Sequence, residues 1–418
     1  MTRDLPDGWR RANIRRYASM KTGHTPSRSN PEYWEDTTIP WFTLADVWQI
    51  RDGHRIYLGE TANCISELGL KNSAAELLPA GTVVLSRTAS VGFSGIMPRP
   101  MATSQDFWNW VCGPDLLPEY LNYQFRSMAP ELRGLNMGST HQTIYKADAA
   151  AIEVVVPPLD EQQSITDFLD RETAQIDTLI EAQQRSVDLL RERRNAVVDT
   201  ALQPDDGWAD AALKFLLEGI DQGVSPQAEA GLADEPGSWG VLKSGCVNRG
   251  VFRQDEHKRL SSTFPIDPLI AVAVGDLVVS RASGSPDLVG SAALVDALDY
   301  DLILSDKLFR LRLRPHYSPR FVYWFCNSRH YRVQVRRAIS GAEGLANNLP
   351  LSALRAFSVS IPPLEEQRRI AAYLDRQTSK IDTLIAETER FIELARERRS
   401  ALITAAVTGQ IDVRGGVA

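Results

Sequence analysis

The chain has 418 residues, of which 43% are hydrophobic and 24% charged, so we expect a folded protein with two or more domains rather than one ordinary core. Its formal net charge of -7 argues against a surface that is basic throughout, as a simple nucleic-acid binder would have. No apolar run approaches the roughly 18 residues of a membrane span, and the start lacks the pattern of a secretory signal, so we expect a cytoplasmic protein.

Residues 1–156 are predicted to form an α+β globular domain, because short apolar strands broken by Gly and Pro occur together with one or two helices. Its landmarks in chain order are the turn Gly23-His24-Thr25-Pro26, Trp41 beside an apolar strand, a Gly-x-x-Val-x-Ser-Arg strand (Gly81, Val84, Ser86, Arg87), the aromatic helix PEYLNYQF, the loop Gly138-Ser139-Thr140 and the strand IEVVV.

Residues 157–204 are predicted to form one long helix with a coiled-coil seam, since apolar residues recur at a period near 3.5. The pair Pro157-Pro158 ends the preceding strand, so the helix begins just after it, and Pro204 stops it. The seam residues are Ile165, Leu169, Ile176, Ile180, Val187, Leu190 and Val197. The excess of acidic residues in the chain lies mainly in this segment.

The second half of the chain repeats this plan, with a globular domain at 205–361, a long helix at 362–410 and a tail at 411–418. The helical segments align without a gap at an offset of 205 residues, and about half of the aligned positions are identical. Gly409 is predicted to cap the second helix. The corresponding landmarks are Gly223-Val224-Ser225-Pro226, Trp239, Gly275, Val278, Ser280, Arg281, the helix PRFVYWFC, the loop Gly341–Gly344, the strand FSVSI, Pro362-Pro363 and the seam Ile370, Leu374, Ile381, Ile385, Ile392 and Leu402.

Two matching helices in one chain offer each other a partner, so we favour an intramolecular helix pair over two helices that each pack only on their own domain. An RERR sequence lies near the end of each helix, at 191–194 and 396–399. We interpret these cations first as partners of the helix dipole, and second as a protein-docking surface.

A stretch without acidic residues, 307–337, contains nine basic side chains. On a strand Arg310, Arg312 and Arg314 share one face, and on a helix Arg329, Arg332 and Arg336 do. A solvated surface and a nucleic-acid interface both fit this run, and the repeat favours the second. The basic residues are Lys307, Arg310, Arg312, Arg314, Arg320, Arg329, Arg332, Arg336 and Arg337.

The sequence carries no pattern of a catalytic centre. The four cysteines form no C-x-x-C pair, the six histidines have no metal-ligand spacing, and a nucleotide-binding P-loop is absent. A DNA methyltransferase loop would need Asn or Asp before Pro-Pro, whereas here Val or Ile precedes both pairs. A nuclease centre of the Pro-Asp…Glu-x-Lys type could be assembled from Pro204, Asp205, Glu256 and Lys258. Its spacing is long and it has no counterpart in the first half, so we interpret it as coincidence.

Several motifs occur at equivalent places in the two halves or near the amino terminus. They are PPLxEQ at 157–162 and 362–367, L-D-R at 169–171 and 374–376, I-D-T-L-I at 176–180 and 381–385, both RERR sequences, and the Trp9 to Pro26 segment with its Gly-x-Thr-Pro end. By these motifs the whole chain resembles the specificity subunit of type I restriction-modification systems.

The resemblance implies two globular target-recognition domains that alternate with two long helices paired as an antiparallel coiled coil, in a pseudo-two-fold repeat. Each domain would read one half of a bipartite, asymmetric site on double-stranded DNA, while the helices set the spacer and dock two modification (methyltransferase) subunits. Restriction subunits would join in complexes that have them. The chain itself would be non-catalytic and bind no cofactor or metal, with S-adenosylmethionine, ATP and Mg expected on partner subunits.

Base reading requires polar side chains held at a groove, with cations placed on phosphates. Arg87 and Arg281 occupy corresponding positions, which favours a shared phosphate or scaffold contact. The candidate DNA-binding residues are Thr25, Ser27, Arg28, Arg87, Thr140, His141 and Gln142 in the first domain and Ser225, Arg281, Ser283, Lys307, Arg310, Arg312, Asn347 and Asn348 in the second.

For each of these residues, a turn or a solvated surface is the alternative role. A helical scaffold that organises partners without reading DNA is the alternative function of the chain. Because Asp106, Asp115, Glu119 and Glu131 lie where the second domain is basic, we expect the two domains to contribute unequally to DNA electrostatics.

Overall fold

The computed structural model describes residues 5–51, 53–134, 143–339 and 347–413. The chain forms two compact units, one of Met1–Arg185 with Thr388–Ala418 and the other of Ser186–Glu387. The boundaries fall inside two long helices, so each unit contains one globular domain and parts of both helices. Among the described residues, no helix has the length and apolar character needed to cross a membrane.

The first globular domain consists of short strands and short helices. Its strands are β1 (Arg10–Asn13), β2 (Ala18–Thr22), β3 (Ile39–Phe42), β4 (Asn63–Ile65), β5 (Val83–Ser86), β6 (Ser94–Ile96), β7 (Ala102–Thr103), β8 (Phe107–Cys112) and β9 (Glu153–Val156). Its α-helices are α1 (Glu67–Lys71), α2 (Pro118–Ser127), α3 (Ala129–Gly134) and α4 (Lys146–Ala151). Its 3-10 helices are Ile14–Arg16, Pro31–Trp34 and Leu44–Gln49.

Helix α5 (Leu159–Ala201) leads into the second domain. The strands there are β10 (Ala209–Ala212), β11 (Leu217–Gln222), β12 (Ala228–Glu229), β13 (Trp239–Leu242), β14 (His257–Leu260), β15 (Leu277–Ser280), β16 (Ala282–Ser283), β17 (Ala292–Leu294), β18 (Asp301–Ile303), β19 (Leu308–Leu313), β20 (Asn347–Asn348) and β21 (Ser358–Ile361). The helices are α6 (Pro319–Cys326), α7 (Arg329–Ile339), α8 (Leu351–Ala356) and the long α9 (Leu364–Val407), with 3-10 helices at Leu213–Phe215, Ser244–Gly250, Pro268–Ile270 and Pro286–Leu288.

The two domains share a sheet topology, apart from one additional edge strand (β12) in the second, and this confirms the predicted repeat. An antiparallel sheet has the order β2-β8-β5-β6 in the first domain and β11-β19-β15-β17 in the second. A second, mixed sheet has the order β4-β3-β7 in one and β12-β14-β13-β18 in the other. The strand that enters each domain pairs with the strand that leaves it, as β1 with β9 and β10 with β21.

The landmarks that the structure describes take the predicted forms, and the loops Gly138-Ser139-Thr140 and Gly341–Gly344 lie outside the described residues. The Gly-x-x-Val-x-Ser-Arg segments are the buried strands β5 and β15, and the aromatic segments are helices α2 and α6. The long helices begin directly after the twin prolines, whose missing N–H groups cannot extend the sheet. Gly409 ends the second one with a φ of +73°, and the Gln410 amide donates to the Ala405 carbonyl, as in a Schellman cap.

Segments of both long helices pack together in each unit. In the first, Ile165 and Leu169 share a core with Ile403 and Val407, and Asp177 pairs with Arg399. Residues further along α5 therefore meet residues earlier in α9, so the two segments run antiparallel.

The second unit has the same arrangement. Val198 shares a core with Leu374, and Arg194 pairs with Asp382. The helix segments in this unit are therefore also antiparallel.

The predicted seam is confirmed along the middle of the helices, where Ile180, Val187, Ile381 and Ile392 are buried. Towards the end of each helix the buried residue is one position later than predicted, Val198 in place of Val197 and Ile403 in place of Leu402. This displacement fits a helix of 3.6 residues per turn, which drifts from a strict 3.5 repeat where its end packs on a globular core.

Candidate nucleic-acid interface

The structure brings six of the candidate residues in the second domain to one end of the antiparallel sheet β11-β19-β15-β17. The Arg281 amide, just after β15, donates to the Lys307 carbonyl (2.8 Å), and the Val224 amide, beside Ser225, donates to the Leu304 carbonyl (3.3 Å). The short strands β16 and β20 pair next to them. The six residues are Ser225, Arg281, Ser283, Lys307, Asn347 and Asn348.

The first domain places its own candidates at the equivalent sheet end. The Arg87 amide donates to the Asp106 carbonyl (2.9 Å), and the Thr25 hydroxyl donates to the Gln105 side chain (2.6 Å). Ser27 and Arg28 follow in the same turn and are exposed. The remaining candidates, Thr140, His141 and Gln142, lie outside the described residues.

The glycine that opens each turn is required by a close backbone approach. A Cβ atom on Gly23 would lie 2.1 Å from the Thr103 carbonyl oxygen, and one on Gly223 would lie 1.8 Å from that of Leu304. Both distances are far below any van der Waals contact, so no other residue fits without moving the backbone. This approach explains why the Gly-x-Thr/Ser-Pro turn occurs in both domains.

Arg87 and Arg281 are half-buried and equivalently placed. The Arg87 guanidinium lies 4.5 Å from the centre of the Trp108 ring, and that of Arg281 lies 6.0 Å from the Phe309 ring. Arg281 also donates to the Asp306 carbonyl (3.2 Å). Each guanidinium is thus packed on an aromatic ring at the sheet end, which suits a positioning role better than base reading.

The two sheet ends differ in charge at one equivalent position. In the first domain this position is Asp106, whose carboxylate accepts hydrogen bonds from Thr88 (2.7 Å) and Ser104 (2.9 Å). In the second it is Lys307, whose side chain is exposed. The local electrostatic difference expected from the sequence is therefore present at the centre of the candidate surface.

Arg310 lies elsewhere on the sheet and its donors are already engaged. Its guanidinium pairs with Asp221 (2.7 Å) and Asp276 (3.1 Å) and donates to the carbonyls of Leu269 and Ala271. Burial alone would lower the pKa of Arg310, but the two carboxylates outweigh it and raise that pKa. These contacts indicate a structural role.

Four of the nine basic residues in the stretch 307–337 pair with acidic side chains in three dimensions, which corrects the interpretation of a positive patch for these four. Acidic residues from distant parts of the chain reach them. The pairs are Arg310 with Asp221 and Asp276, Arg312 with Asp221, Arg320 with Asp296 and Asp375, and Arg336 with Asp287. Arg312 keeps half of its side chain exposed (51%) and stays a DNA-binding prediction.

The PPLxEQ glutamine attaches each long helix to its domain. The buried Gln162 donates to the Pro157 carbonyl (2.9 Å) and accepts from the Leu117 amide (2.9 Å), just before α2. Gln367 makes the same two contacts with Pro362 and with the Ser318 amide, just before α6.

The L-D-R aspartate makes a second repeated attachment. Asp170 accepts a hydrogen bond from the Tyr123 hydroxyl (2.6 Å), and Asp375 accepts one from the Trp324 indole (2.9 Å). The aromatic residues occupy equivalent positions in α2 and α6. Sequence reasoning recognised these motifs but missed their role, which the common offset of 205 residues could have suggested.

The last arginine of each RERR pairs with the aspartate of I-D-T-L-I on the other long helix. The distances are 2.8 Å for Arg399 with Asp177 and 2.7 Å for Arg194 with Asp382. Both arginines lie before the last helical turn, so the interpretation of these two residues as partners of the helix dipole was wrong. They hold the helix segments to one another.

Comparison with known proteins agrees with this architecture. Residues 6–187 and 272–393, well over half of the chain, match the family described as the type I restriction modification DNA specificity domain. The chain belongs to this family.

Two curated relatives of this chain are named as specificity subunits. The type I restriction enzyme MjaIX specificity subunit of Methanocaldococcus jannaschii is 29% identical over 188 residues, which is 44% of this chain and 42% of that protein. The type I restriction enzyme EcoKI specificity subunit of Escherichia coli K12 is 22% identical over 427 residues, which is 97% of this chain and 90% of that protein.

A solved structure shows the same fold over the whole length. It is described as "Structural basis underlying complex assembly and conformational transition of the type I R-M system", and it matches with a TM-score of 0.69 at 18% identity. The match covers 98% of this chain and 100% of the other. The alternation of globular domains and long helices is therefore a fold that this chain shares with the solved structure.

The described part of this specificity chain contains no group of three or more His, Cys, Asp and Glu residues arranged to hold a metal ion. The four cysteines are free thiols, and burial raises the pKa of Cys246 to about 12. A thiol with that pKa stays protonated at neutral pH and is a poor nucleophile. The expectation that the chain binds no cofactor stays a prediction.

Proposed function

We propose that this chain is the non-catalytic DNA-reading subunit of a type I restriction-modification complex, in which each globular domain reads one half of a bipartite, asymmetric DNA site. The observation that carries the proposal is the repetition of one topology with polar and basic side chains at the same sheet end. Two similar domains with different side chains at that end suit two different half-sites.

The DNA surface of each domain is assigned to that sheet end. In the first domain we propose Thr25, Ser27 and Arg28 at that end, with Arg87 as a positioning residue. Thr140, His141 and Gln142, which lie outside the described residues, are also proposed to bind DNA. At the sheet end of the second domain we propose Ser225, Ser283, Asn347 and Asn348 as base-reading candidates, Lys307 as a phosphate contact and Arg281 as a positioning residue. Arg312, at the other end of β19, is proposed as a separate phosphate contact.

The long helices set the distance between the half-sites and dock two modification subunits. Helices of 43 and 44 residues are about 65 Å long at a rise of 1.5 Å per residue, which is enough to act as a spacer. S-adenosylmethionine is bound by the modification subunits, and ATP and Mg by restriction subunits where the complex has them. The repeated helix surfaces support two copies of one modification subunit for each copy of this chain.

The test is to co-express this chain with the adenine methyltransferase of its own locus in an unmethylated host and to map methylated adenines across the genome. The expected result is a motif of two short defined blocks separated by a fixed gap, with one methylated adenine in each block. A soluble complex with an active methyltransferase but no motif would reject DNA reading and support the helical scaffold. Native mass spectrometry giving one modification subunit per chain would contradict the proposed docking.

A further inference from the structure

A cavity of about 410 Å³ in the first unit lies where the globular domain meets segments of both long helices. Its apolar walls include Ile50, Phe93, Ile180 and Ile403. The cavity is larger than an inorganic oxyanion requires, so it has space for an organic group as well.

The cavity is strongly cationic among the described residues that line it. Four guanidinium groups face a single carboxylate, that of Asp177, which already pairs with Arg399 and lies 3.0 Å from the His54 ring. The four arginines are Arg51, Arg126, Arg396 and Arg399.

Arg126 is the residue that points to a ligand. Its Nε and Nη1 atoms are buried and have no hydrogen-bond partner in the described part of the chain, while Nη2 donates to the Arg55 carbonyl. Burial lowers the pKa of Arg126 to about 10, and the nearby charge of Arg399 contributes to the decrease. The guanidinium also lies 5.6 Å from the centre of the Tyr123 ring. Because two buried N–H donors of a cation without acceptors cost stability, this arrangement would be stabilised by an anion in the cavity.

The equivalent cavity of the second unit is built differently. Asn327 occupies the position of Arg126, and its amide donates to the carbonyls of Ala292 (3.1 Å) and Tyr323 (2.8 Å). The arginines that line that cavity are accompanied by three acidic residues, Glu192, Asp199 and Asp287. In the second cavity Arg332 also has a buried Nε without a partner, but its two Nη atoms donate to the carbonyls of Val289 and Pro286. An arginine with two unpartnered buried nitrogens and a large positive excess are therefore features of the first cavity.

We propose that the cavity lined by Arg51, Arg126 and Arg396 binds a phosphate group. Guanidinium groups match phosphate oxygens in a bidentate geometry, and the apolar walls accommodate the rest of a phosphate ester. Free phosphate esters and the DNA backbone both offer this chemistry. The site does not depend on the DNA-reading proposal, because a free phosphate ester can occupy it in a chain that binds no DNA.

The test is calorimetric titration of the full-length chain with inorganic phosphate and with adenosine monophosphate at low ionic strength. Arg126→Gln and Arg396→Gln should each weaken binding about ten-fold or more, because each removes charge-assisted hydrogen bonds. Arg396 is exposed, so its variant keeps the test valid if Arg126→Gln fails to fold. Arg133→Gln, an exposed arginine on α3 outside the cavity lining, should bind as the wild type does.

A second titration with a short duplex identifies the source of the phosphate. If the DNA backbone supplies it, both cavity variants lose affinity for the duplex, and the slope of log affinity against log salt becomes smaller by about one. If a free ester supplies it, affinity for the duplex is unchanged and only the small ligands are lost. The proposed site is overturned if the wild type binds none of the three probes. It is also overturned if the wild type and both cavity variants bind all three probes with equal affinity.

Discussion

The two globular domains share a strand order but differ in the polar groups on equivalent strands. On the paired strands β11 and β19, Asp221 faces Arg310 as an ion pair, whereas β2 and β8 place Lys21 opposite the buried Asn109. At the candidate DNA surface, Asp106 of the first domain corresponds to Lys307 of the second. Apolar spacing and a few backbone requirements thus fix the topology, while charged positions are free to differ between the domains.

The largest expected effect tests what the domains have in common. Gly23→Ala and Gly223→Ala should each lower the free energy of unfolding by about 3 kcal/mol, because the new methyl group meets a backbone carbonyl that cannot rotate away. Gly284→Ala is the matched control, with no atom within 4 Å of the added Cβ. Urea denaturation of the three variants measures the difference. A tolerated Gly23→Ala beside a damaging Gly223→Ala would mean that the turns are not equivalent.

Breaking the ion pair between the long helices should cost more stability in the first unit than in the second. Arg399→Glu should cost about 3 kcal/mol, since Arg399 and Asp177 are both only 13% exposed, whereas Arg194→Glu should cost about 1 kcal/mol because Asp382 is 49% exposed. Adding Asp177→Arg should restore part of the loss in the first unit. Arg398→Glu, an exposed neighbour in the same RERR, serves as control in the thermal unfolding measurements.

Arg310→Gln tests the contribution of the Asp221–Arg310 ion pair, whose equivalent positions in the first domain are Lys21 and Asn109. We expect a loss of about 2 kcal/mol in stability, because Asp221 and Asp276 lose a half-buried partner, with no change in the DNA affinity of the folded protein. Chemical denaturation and a duplex-binding titration check the two parts. A stable variant with weakened DNA binding would instead return Arg310 to the DNA surface.

The smallest effect concerns the exposed charge at the sheet end. Lys307→Gln should weaken DNA binding several-fold, about 1 kcal/mol, for every duplex sequence alike, because a phosphate contact carries no base information. Fluorescence anisotropy at several salt concentrations should show that the slope of log affinity against log salt is smaller by about one. Lys258→Gln, on the exposed side of β14, should leave both quantities unchanged. A loss confined to one sequence would make Lys307 a base-reading residue.

The fold was predictable because its signals are local and occur twice. Twin prolines, the Gly-x-x-Val-x-Ser-Arg strands and the seam positions all depend on residues that are close in sequence. The structure confirms them, except that the last seam residue of each helix lies one position later than predicted. The basic stretch and the role of the RERR arginines at the helix dipole were misinterpreted. The acidic partners Asp221, Asp276 and Asp382 are far in sequence from the arginines that they contact. Lys307 and Arg281 were selected as polar loop residues, and only the strand pairing brings them together.

The repeated attachment of domain to helix makes the two halves interchangeable modules. Gln162 and Gln367 accept from a backbone amide, and Asp170 and Asp375 each accept from an aromatic side chain, so neither contact depends on the loops that distinguish the domains. A chimaera with two copies of the first domain would keep all of these hydrogen bonds, with Tyr123 in the place of Trp324. Under the proposed function, such a chimaera would recognise a palindromic target.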